Sequence, residues 1–349
     1  MAKSDVVKFK QALADSDGRD GPKSVLLGNG FSIGWKRAVF HYESLFDEAE
    51  LGDLSVSKEE LFEALATTDF ETVIEHLNSA ADLADLYEAS DPELSETLRW
   101  DANVVKNGLA DVLALRHPNR AQDVTDTEAE QARAFLSNFL QIFTVNYDLL
   151  LYWVVNRSAG SAHIVSATDG FEWPTYQGPH ELIWKSRPTQ GTQRIFYLHG
   201  ALHYFREPDR KLHKLKYGLA DPLIDQIRER ITSGHYPRLV TEGKSEQKMA
   251  SIEASAYLRR CRRKLSELSG SLFIHGMSLS SNDSHIVEVL EAQESKVAAL
   301  YVSVHGDPDS NANEDFMSRA RRIKRRRERN NGRKLHLVFY DTASAHVWR

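Results

Sequence analysis

Four short patches of glycine and polar residues, each placed directly after an apolar stretch, constrain this chain more than any other feature. The apolar stretches predict strands, and the patches follow them at residues 28–32, 144–148, 198–200 and 276–278. Because predicted strands alternate with helical patterns over much of the chain, a parallel sheet with helices on both faces is expected. Ligands of such open sheets bind beyond the carboxyl ends of the strands, where all four patches fall. The sequence therefore predicts an α/β, Rossmann-like fold whose ligand site is formed by these patches.

The individual elements can be predicted from hydrophobic periodicity. We predict strands at residues 24–28, 141–144, 195–198, 238–241, 271–275, 298–304 and 335–340. We predict helices at residues 246–268, 285–293 and 316–329. Residues 158–194, which are rich in Gly, Pro and Trp, indicate irregular structure near the site.

An acidic and mostly helical region follows the first predicted strand. Ser57 with Glu60, and Thr68 with Glu71, have the spacing of capping boxes and precede apolar residues at helical spacing. The region has no glycine-rich turn after a strand and no cluster of His or Cys. We interpret residues 41–139 as a helical insertion, a lid or an assembly surface, within a single domain that spans residues 1–349.

Composition excludes several classes of protein. The chain has 349 residues, of which 41% are hydrophobic and 27% are charged, as in an ordinary soluble globular protein. No apolar stretch approaches the roughly 20 residues that a membrane-spanning helix needs, and no signal peptide is recognisable. The single cysteine, Cys261, excludes an internal disulfide and a cysteine-based zinc site. We therefore expect a cytoplasmic protein with no membrane contact.

Positive charge is concentrated near the end of the sequence. Residues 319–334 include ten Lys or Arg and one Glu, which leaves 34 basic and 49 acidic residues, a net charge of −15, in the rest of the chain. Such a cluster can bind nucleic acid or an acidic partner. However, Met317, Ala320 and Ile323 have helical spacing, which favours a helix with a solvated basic face. Direct binding of nucleic acid is the less favoured interpretation.

The patches contain side chains suited to ligand binding or catalysis. A glycine turn at Gly28 and Gly30 lets backbone N–H groups approach a phosphate, although any tight turn could have this sequence. Asn146 and Asp148 leave a strand end, where an Asx turn that caps the next helix is the alternative. His199 also follows a strand, and a purely structural histidine is as compatible with its position.

Other chemistries are less well supported. His199 and His203, four residues apart, would share a metal ion only on a helix, and the glycine after His199 argues against one. Cys261 is surrounded by arginines, which could lower the pKa of its thiol. The favoured interpretation is one helix face with basic side chains around a small residue. We expect no metal cofactor. The arginines are Arg259, Arg260, Arg262 and Arg263.

In this order the four patches resemble the nucleotide site of the sirtuin-like proteins of bacterial antiphage defence, which degrade NAD. The resemblance implies that the glycine turn binds the pyrophosphate, that Asn146 is catalytic on the ribose side, and that His199 is the base. It further implies that Asp148 lies near the nicotinamide amide. The late patch would contact the adenosine half, with Asp283 either assisting it or only capping the following helix. The implied NAD-binding residues are Gly28, Asn29, Gly30, Ser32, Thr144, Asp148, Gly276, Ser278 and Asp283.

The chain departs from the protein-deacylating sirtuins, which it also resembles at the nucleotide site. Those enzymes have a four-cysteine zinc module, and one cysteine cannot supply it. Their Pro-Asp-Phe-Arg segment is replaced here by Ile33, Gly34, Trp35 and Lys36. The resemblance therefore implies hydrolysis of NAD to nicotinamide and ADP-ribose, with a base whose pKa lies near neutrality.

The resemblance also implies how such a toxic activity is controlled. Homo-oligomerisation or a separate partner, such as a HerA-type ATPase, would regulate it, because the sequence has no recognisable sensor module. The alternative is a catalytically silent module that binds NAD or ADP-ribose, or that contacts nucleic acid through residues 319–334.

Overall fold

The computed structural model describes residues 6–87, 93–157, 160–174, 181–186, 192–207, 211–217, 222–241, 245–331 and 333–349. Its strands are β1 (Val6–Val7), β2 (Lys23–Leu27), β3 (Gln141–Thr144), β4 (Phe171–Glu172), β5 (Leu182–Trp184), β6 (Ile195–Tyr197), β7 (Tyr204–Arg206), β8 (Leu212–Lys214), β9 (Ser269–His275), β10 (Lys296–Val304) and β11 (His336–Asp341).

The helices are α1 (Phe9–Asp17), α2 (Gly30–Trp35), α3 (Arg37–Phe40), α4 (Tyr42–Glu48), α5 (Lys58–Ala64), α6 (Phe70–Tyr87), α7 (Glu93–Arg116), α8 (Asp126–Leu136), α9 (Leu150–Asn156), α10 (Leu223–Thr232), α11 (Ser245–Glu253), α12 (Ala256–Ser266), α13 (Ser284–Glu291) and α14 (Asn311–Asn331). None of the helices in these ranges is both long enough and apolar enough to cross a bilayer.

A seven-stranded parallel sheet in the order β1-β11-β10-β9-β2-β3-β6 forms the centre of the fold, with helices packed against it. The central strands are continuous apolar runs; in β2, for example, Val25, Leu26 and Leu27 are all fully buried. Such runs are typical of strands that are covered on both faces. The predicted α/β, Rossmann-like fold is confirmed.

The order in which strands are added to the sheet reverses between the neighbouring parallel strands β2 and β9. From β2 the sheet grows in one direction through β3 to β6, and from β9 it grows in the other direction through β10 to β11. In open α/β sheets this kind of switch point leaves a crevice at the carboxyl ends of the strands. The first and last of the four patches follow β2 and β9 and therefore lie at the switch point.

Helices α4 to α8 occupy most of residues 41–139 and connect β2 to β3. The capping box at the start of α5 is confirmed, because Ser57 Oγ accepts the Glu60 N–H at 3.2 Å and Glu60 Oε2 accepts the Ser57 N–H at 3.3 Å. The box predicted for Thr68 and Glu71 is wrong. Helix α6 begins at Phe70, and the Asp69 carboxylate accepts the Glu71 N–H at 3.0 Å, since Asp is a strong N-cap residue.

Three other predictions from the sequence are corrected. Residues 238–241 form no strand, and only Leu239 makes an isolated bridge, to Gly200. The helix predicted at 246–268 is two helices, α11 and α12, because Ser255 accepts the Leu258 N–H and starts a new helix. In residues 158–194, β4 and β5 join β8 and β7 in a small antiparallel sheet, where irregular structure was predicted. Residues 158–159, 175–180 and 187–191 of that prediction lie outside the described ranges.

The basic segment lies mainly on α14. Met317, Ala320 and Ile323 are buried, which confirms the predicted helix and its apolar face. Arg322 is one of the exposed basic residues of this helix. Residue 332 of the basic segment lies outside the described ranges. Arg327 differs from the solvated side chains that the sequence predicts. It is buried and donates to the Ala292 carbonyl at 2.6 Å and to the Ser295 carbonyl, so its role is structural.

Cys261 lies on the buried face of α12. Burial raises the pKa of its thiol to about 12, so the arginines around it do not make it a thiolate at neutral pH. The favoured prediction, a small residue surrounded by basic side chains on one helix face, is only partly correct, because Cys261 is on the buried face and Arg259 and Arg263 are exposed.

Candidate functional site

The four patches follow four adjacent strands of the sheet, β6, β3, β2 and β9. Because these strands are parallel, all four patches lie at the same edge. The strand order was not predictable from the sequence. It places the four strands that precede the patches next to one another, with no other strand between them.

A buried hydrogen-bonded group connects α2, which closely follows β2, with the segment after β3. The Ser32 hydroxyl donates to Asp148 Oδ2 at 2.5 Å and accepts from Asn146 Nδ2 at 2.9 Å. All three side chains are buried. Burial raises the pKa of the Asp148 carboxyl above its usual value, and the hydrogen bond from Ser32 only partly opposes this. Three predicted site residues are therefore in direct contact.

Asn146 has one unsatisfied polar atom. Its backbone N–H is bonded to Thr144 Oγ1 at 3.0 Å, whereas its side-chain Oδ1 is buried and has no hydrogen-bond partner among the described residues. An unpaired buried acceptor costs about 1–3 kcal/mol, so such atoms need an explanation. A ligand hydroxyl at this strand end would satisfy the acceptor.

Asp148 also has the structural role that was its alternative interpretation. Its Oδ1 accepts the N–H of Leu150, two residues later, at 2.9 Å, which is an Asx turn at the start of α9. One carboxylate oxygen therefore supports the helix and the other supports Ser32.

The glycines of the first and last patches pack against each other across the switch point. A Cβ atom on Gly28 would lie 2.6 Å from the Gly276 carbonyl oxygen, and one on Gly30 would lie 2.6 Å from the Gly276 Cα. Gly276 itself has a φ of +70°, which favours glycine. The visible role of these glycines is close approach of two backbones. Of the other predicted residues in these two patches, Asn29 donates from its Nδ2 to the Phe40 carbonyl at 3.2 Å. Ser278 has an exposed side chain.

His199 is buried after β6, and its Nε2 lies 2.8 Å from His285 Nε2 on α13. Burial lowers the pKa of His199 well below its usual value, and His285 and Lys248 add to this. Burial likewise lowers the pKa of His285 to about 3. Both rings are therefore neutral at pH 7, and one N–H donates to the other ring. The near-neutral pKa predicted for His199 therefore differs from the lowered pKa that its burial produces.

The space beside the backbone that follows His199 is occupied by another segment of the chain. Gly200 has a φ of +79°, and a Cβ atom there would lie 1.9 Å from the Arg238 carbonyl oxygen. The Val240 N–H donates to the His199 carbonyl at 2.9 Å. Gly200 is thus required for the close passage of residues 238–240, which holds His199 in place.

Three charged side chains from separate parts of the chain meet next to the histidines. Lys248 Nζ on α11 donates to Glu71 Oε2 on α6 at 2.6 Å and lies 3.9 Å from Asp283 Oδ1. Tyr147 Oη lies 2.7 Å from Glu71 Oε1. Burial alone would lower the pKa of Lys248, but Glu71 and Asp283 outweigh it and raise the pKa. Burial raises the pKa of Asp283 to about 6.

Asp283 makes no side-chain capping bond to α13, so the alternative role as a cap is not observed.

The family described as "Domain of unknown function (DUF4917)" matches residues 25–348. The chain belongs to the DUF4917 family. The match includes all four patches, the helical insertion and α14. No curated protein matches the chain significantly.

Glu71, Lys248 and His285 of this DUF4917 protein are not among the site residues that the sequence predicts. The local spacing of Glu71 predicts a capping box, and Lys248 has no local signal. His285 follows Asp283 at the start of a predicted helix, and the position of that helix beyond β9 was the available signal. Contacts between distant segments bring these residues to the site.

The DUF4917 site also contains a group of side chains able to bind a metal ion. The ligand atoms of His199, Asp283 and His285 all lie within 4.8 Å of one another. The pair considered from the sequence, His199 and His203, is not on a helix. His203 packs instead against the rings of Tyr152 and Tyr197, at 4.9 and 5.7 Å between centroids.

Proposed function

We propose that this DUF4917 protein is an NAD glycohydrolase that cleaves NAD to nicotinamide and ADP-ribose. The observation that carries the proposal is the placement of the four patches on adjacent strands, with Ser32, Asn146 and Asp148 hydrogen-bonded at their centre. His199 lies at the end of the neighbouring strand. This arrangement supports the resemblance to the sirtuin-like nucleotide site.

The reaction makes modest demands on the protein. Nicotinamide is already a cationic leaving group, so the glycosidic bond breaks with development of an oxocarbenium-like ribose, and water attacks C1′ and loses a proton. Asn146 is suited to orient the ribose and the water, because its Oδ1 is the unpaired acceptor. His199 is neutral and can accept the proton that the attacking water loses.

NAD binding is proposed for the same residues that the resemblance implies. The pyrophosphate would lie on the turn at Gly28 and Asn29 and on the start of α2, which contains Gly30 and Ser32. This segment is fixed by the Gly30 N–H, which donates to the Gly276 carbonyl at 2.7 Å. A segment held by close backbone packing needs little reorganisation to present its polar groups, which favours binding.

We propose a cytoplasmic effector that acts as a homo-oligomer or with a HerA-type ATPase. The helical insertion offers an assembly surface, because several large apolar side chains on α6 and α7 are exposed. Tyr87 is 82% and Leu86 is 74% exposed, and exposed apolar surface of this kind can serve as a protein interface. The large exposed apolar residues of these two helices include Leu83, Leu86, Tyr87, Leu94, Trp100 and Leu115.

Turnover of NAD tests the proposal directly. We expect the purified full-length chain, alone or with the product of a neighbouring ATPase gene, to release nicotinamide and ADP-ribose in equal amounts, measured by chromatography. If NAD or ADP-ribose binds by calorimetry but neither condition gives turnover, the protein is a silent nucleotide-binding module and the enzymatic proposal is wrong.

The basic helix should not contribute to catalysis. Arg322, Arg325 and Arg329 are exposed on α14, which is not one of the elements that carry the four patches. We expect the triple replacement by Ser to leave basal NAD cleavage within about twofold of wild type, since the site is formed by other elements. Micromolar DNA binding by the wild type, falling by orders of magnitude between 50 and 200 mM salt and lost in the variant, would instead support a nucleic-acid function.

A further inference from the structure

Two buried imidazoles and a carboxylate face one another beside the proposed catalytic edge. His199 and His285 are 2% and 0% exposed, and their Nε2 atoms lie 2.8 Å apart. The Asp283 side chain is 16% exposed, and its carboxylate completes a group within 4.8 Å. His199 follows β6, whereas Asp283 immediately precedes α13 and His285 lies in its first turn, so the tertiary fold brings His199 to a pair that is local in sequence.

We propose that His199, His285 and Asp283 form a binding site for a divalent transition-metal ion such as Zn²⁺, and that the bound ion inhibits the enzyme. Two imidazole nitrogens and one carboxylate oxygen are a ligand set that suits zinc and its neighbours, whereas Mg²⁺ and Ca²⁺ prefer oxygen ligands.

The geometry requires only small movements. With Zn–N bonds of about 2.0 to 2.1 Å, two imidazole nitrogens bound to one ion are about 3.4 Å apart in a tetrahedral site. The rings must therefore separate by a few tenths of an ångström from their present 2.8 Å. The contact of the Asp283 carboxylate with Lys248, at 3.9 Å, is longer than a hydrogen bond, so a rotation toward the ring nitrogens would break no hydrogen bond to Lys248.

The nearby ammonium group does not prevent cation binding. Lys248 is paired with Glu71 at 2.6 Å, so the two charges compensate each other. The carboxylate of Asp283 then provides a negative charge for the metal ion. A purely structural pair of histidines would not need a carboxylate within reach of both ring nitrogens.

Inhibition would follow because the same nitrogen, His199 Nε2, would bind the metal ion and accept the proton in catalysis. The metal ion would occupy the Nε2 lone pair of His199, which could then no longer accept a proton. This inhibitory part rests on the proposed function, whereas metal binding itself does not. The two parts are therefore tested by separate measurements.

The first measurement is metal binding to the full chain in the absence of NAD. Chelator-treated protein should bind about one equivalent of Zn²⁺ with low micromolar or tighter affinity by calorimetry, and Co²⁺ should give the visible absorption of a nitrogen- and oxygen-ligated ion. His285→Ala should weaken zinc binding at least about 100-fold, because loss of even an outer-shell partner costs about 10–100-fold. His305→Ala, a change at an exposed histidine, should bind as wild type does.

Asp283→Asn provides a second variant that keeps the side-chain volume, in case His285→Ala does not fold. The site is refuted if wild type binds no zinc at about 100 µM, or if both variants bind it as wild type does. For inhibition, cleavage of NAD should survive chelation and should fall with added Zn²⁺ at the concentration that fills the site. Loss of activity on chelation, restored by zinc, would overturn the inhibitory role.

Discussion

Asn146→Ala is expected to lower kcat for NAD cleavage at least about 100-fold, because removal of one preorganised polar group at a transition state commonly costs that much. Asn146 follows the end of β3, its Nδ2 donates to Ser32 at 2.9 Å, and its Oδ1 has no hydrogen-bond partner in the described part of the chain and would accept from the proposed substrate. His199→Ala should have an effect of about 100- to 10,000-fold, the range for loss of a general base. Steady-state kinetics on chelator-treated protein would measure both effects.

Matched controls separate catalysis from folding. Asn103→Ala on α7 and His305→Ala change exposed residues of the same types, and both should retain wild-type rates. The thermal midpoints of all four variants should be compared with that of the wild type. If a folded Asn146→Ala or His199→Ala variant keeps a rate within about tenfold of wild type, or about 1.4 kcal/mol of barrier, that residue is not part of the mechanism.

The sequence predicts the sheet well because buried parallel strands are recognisable as uninterrupted apolar runs. The apolar run at Val25–Leu27 and the polar residues that follow it already locate one strand and its carboxyl end. β4 was missed because a strand of two residues has no measurable periodicity. Hydrophobic periodicity thus predicts a strand only where the strand is long enough to show a pattern.

Site contacts were predicted only where they follow from the strand ends. Asn146 and His199 could be placed because parallel strands bring their carboxyl ends to one edge. Glu71 could not, because the same glutamate at the start of a helix fits a capping box and a tertiary ion pair equally well. Only the packing of α6 against α11 decides between them, and it assigns Glu71 to Lys248.

The second large effect concerns the ion pair that connects the helical insertion to the site. Glu71→Ala is expected to lower the free energy of unfolding by about 3–5 kcal/mol, the usual cost of breaking a buried pair by removing one partner. Lys248 is fully buried, and without Glu71 its ammonium group would keep only weaker interactions with Asp283, at 3.9 Å, and Asp69 among the described residues. The raised pKa of Lys248 shows that the group stays charged in the folded protein.

Urea denaturation of the full chain would measure the loss, and a double variant would identify its cause. Glu71→Leu combined with Lys248→Met should recover much of the stability, because apolar residues of similar volume often replace a buried ion pair without loss. Arg99→Ala, which breaks the exposed contact with Asp85 at 2.6 Å, should cost less than about 1 kcal/mol. A Glu71→Ala variant as stable as the Arg99→Ala control would show that the pair contributes nothing to holding the insertion on the sheet.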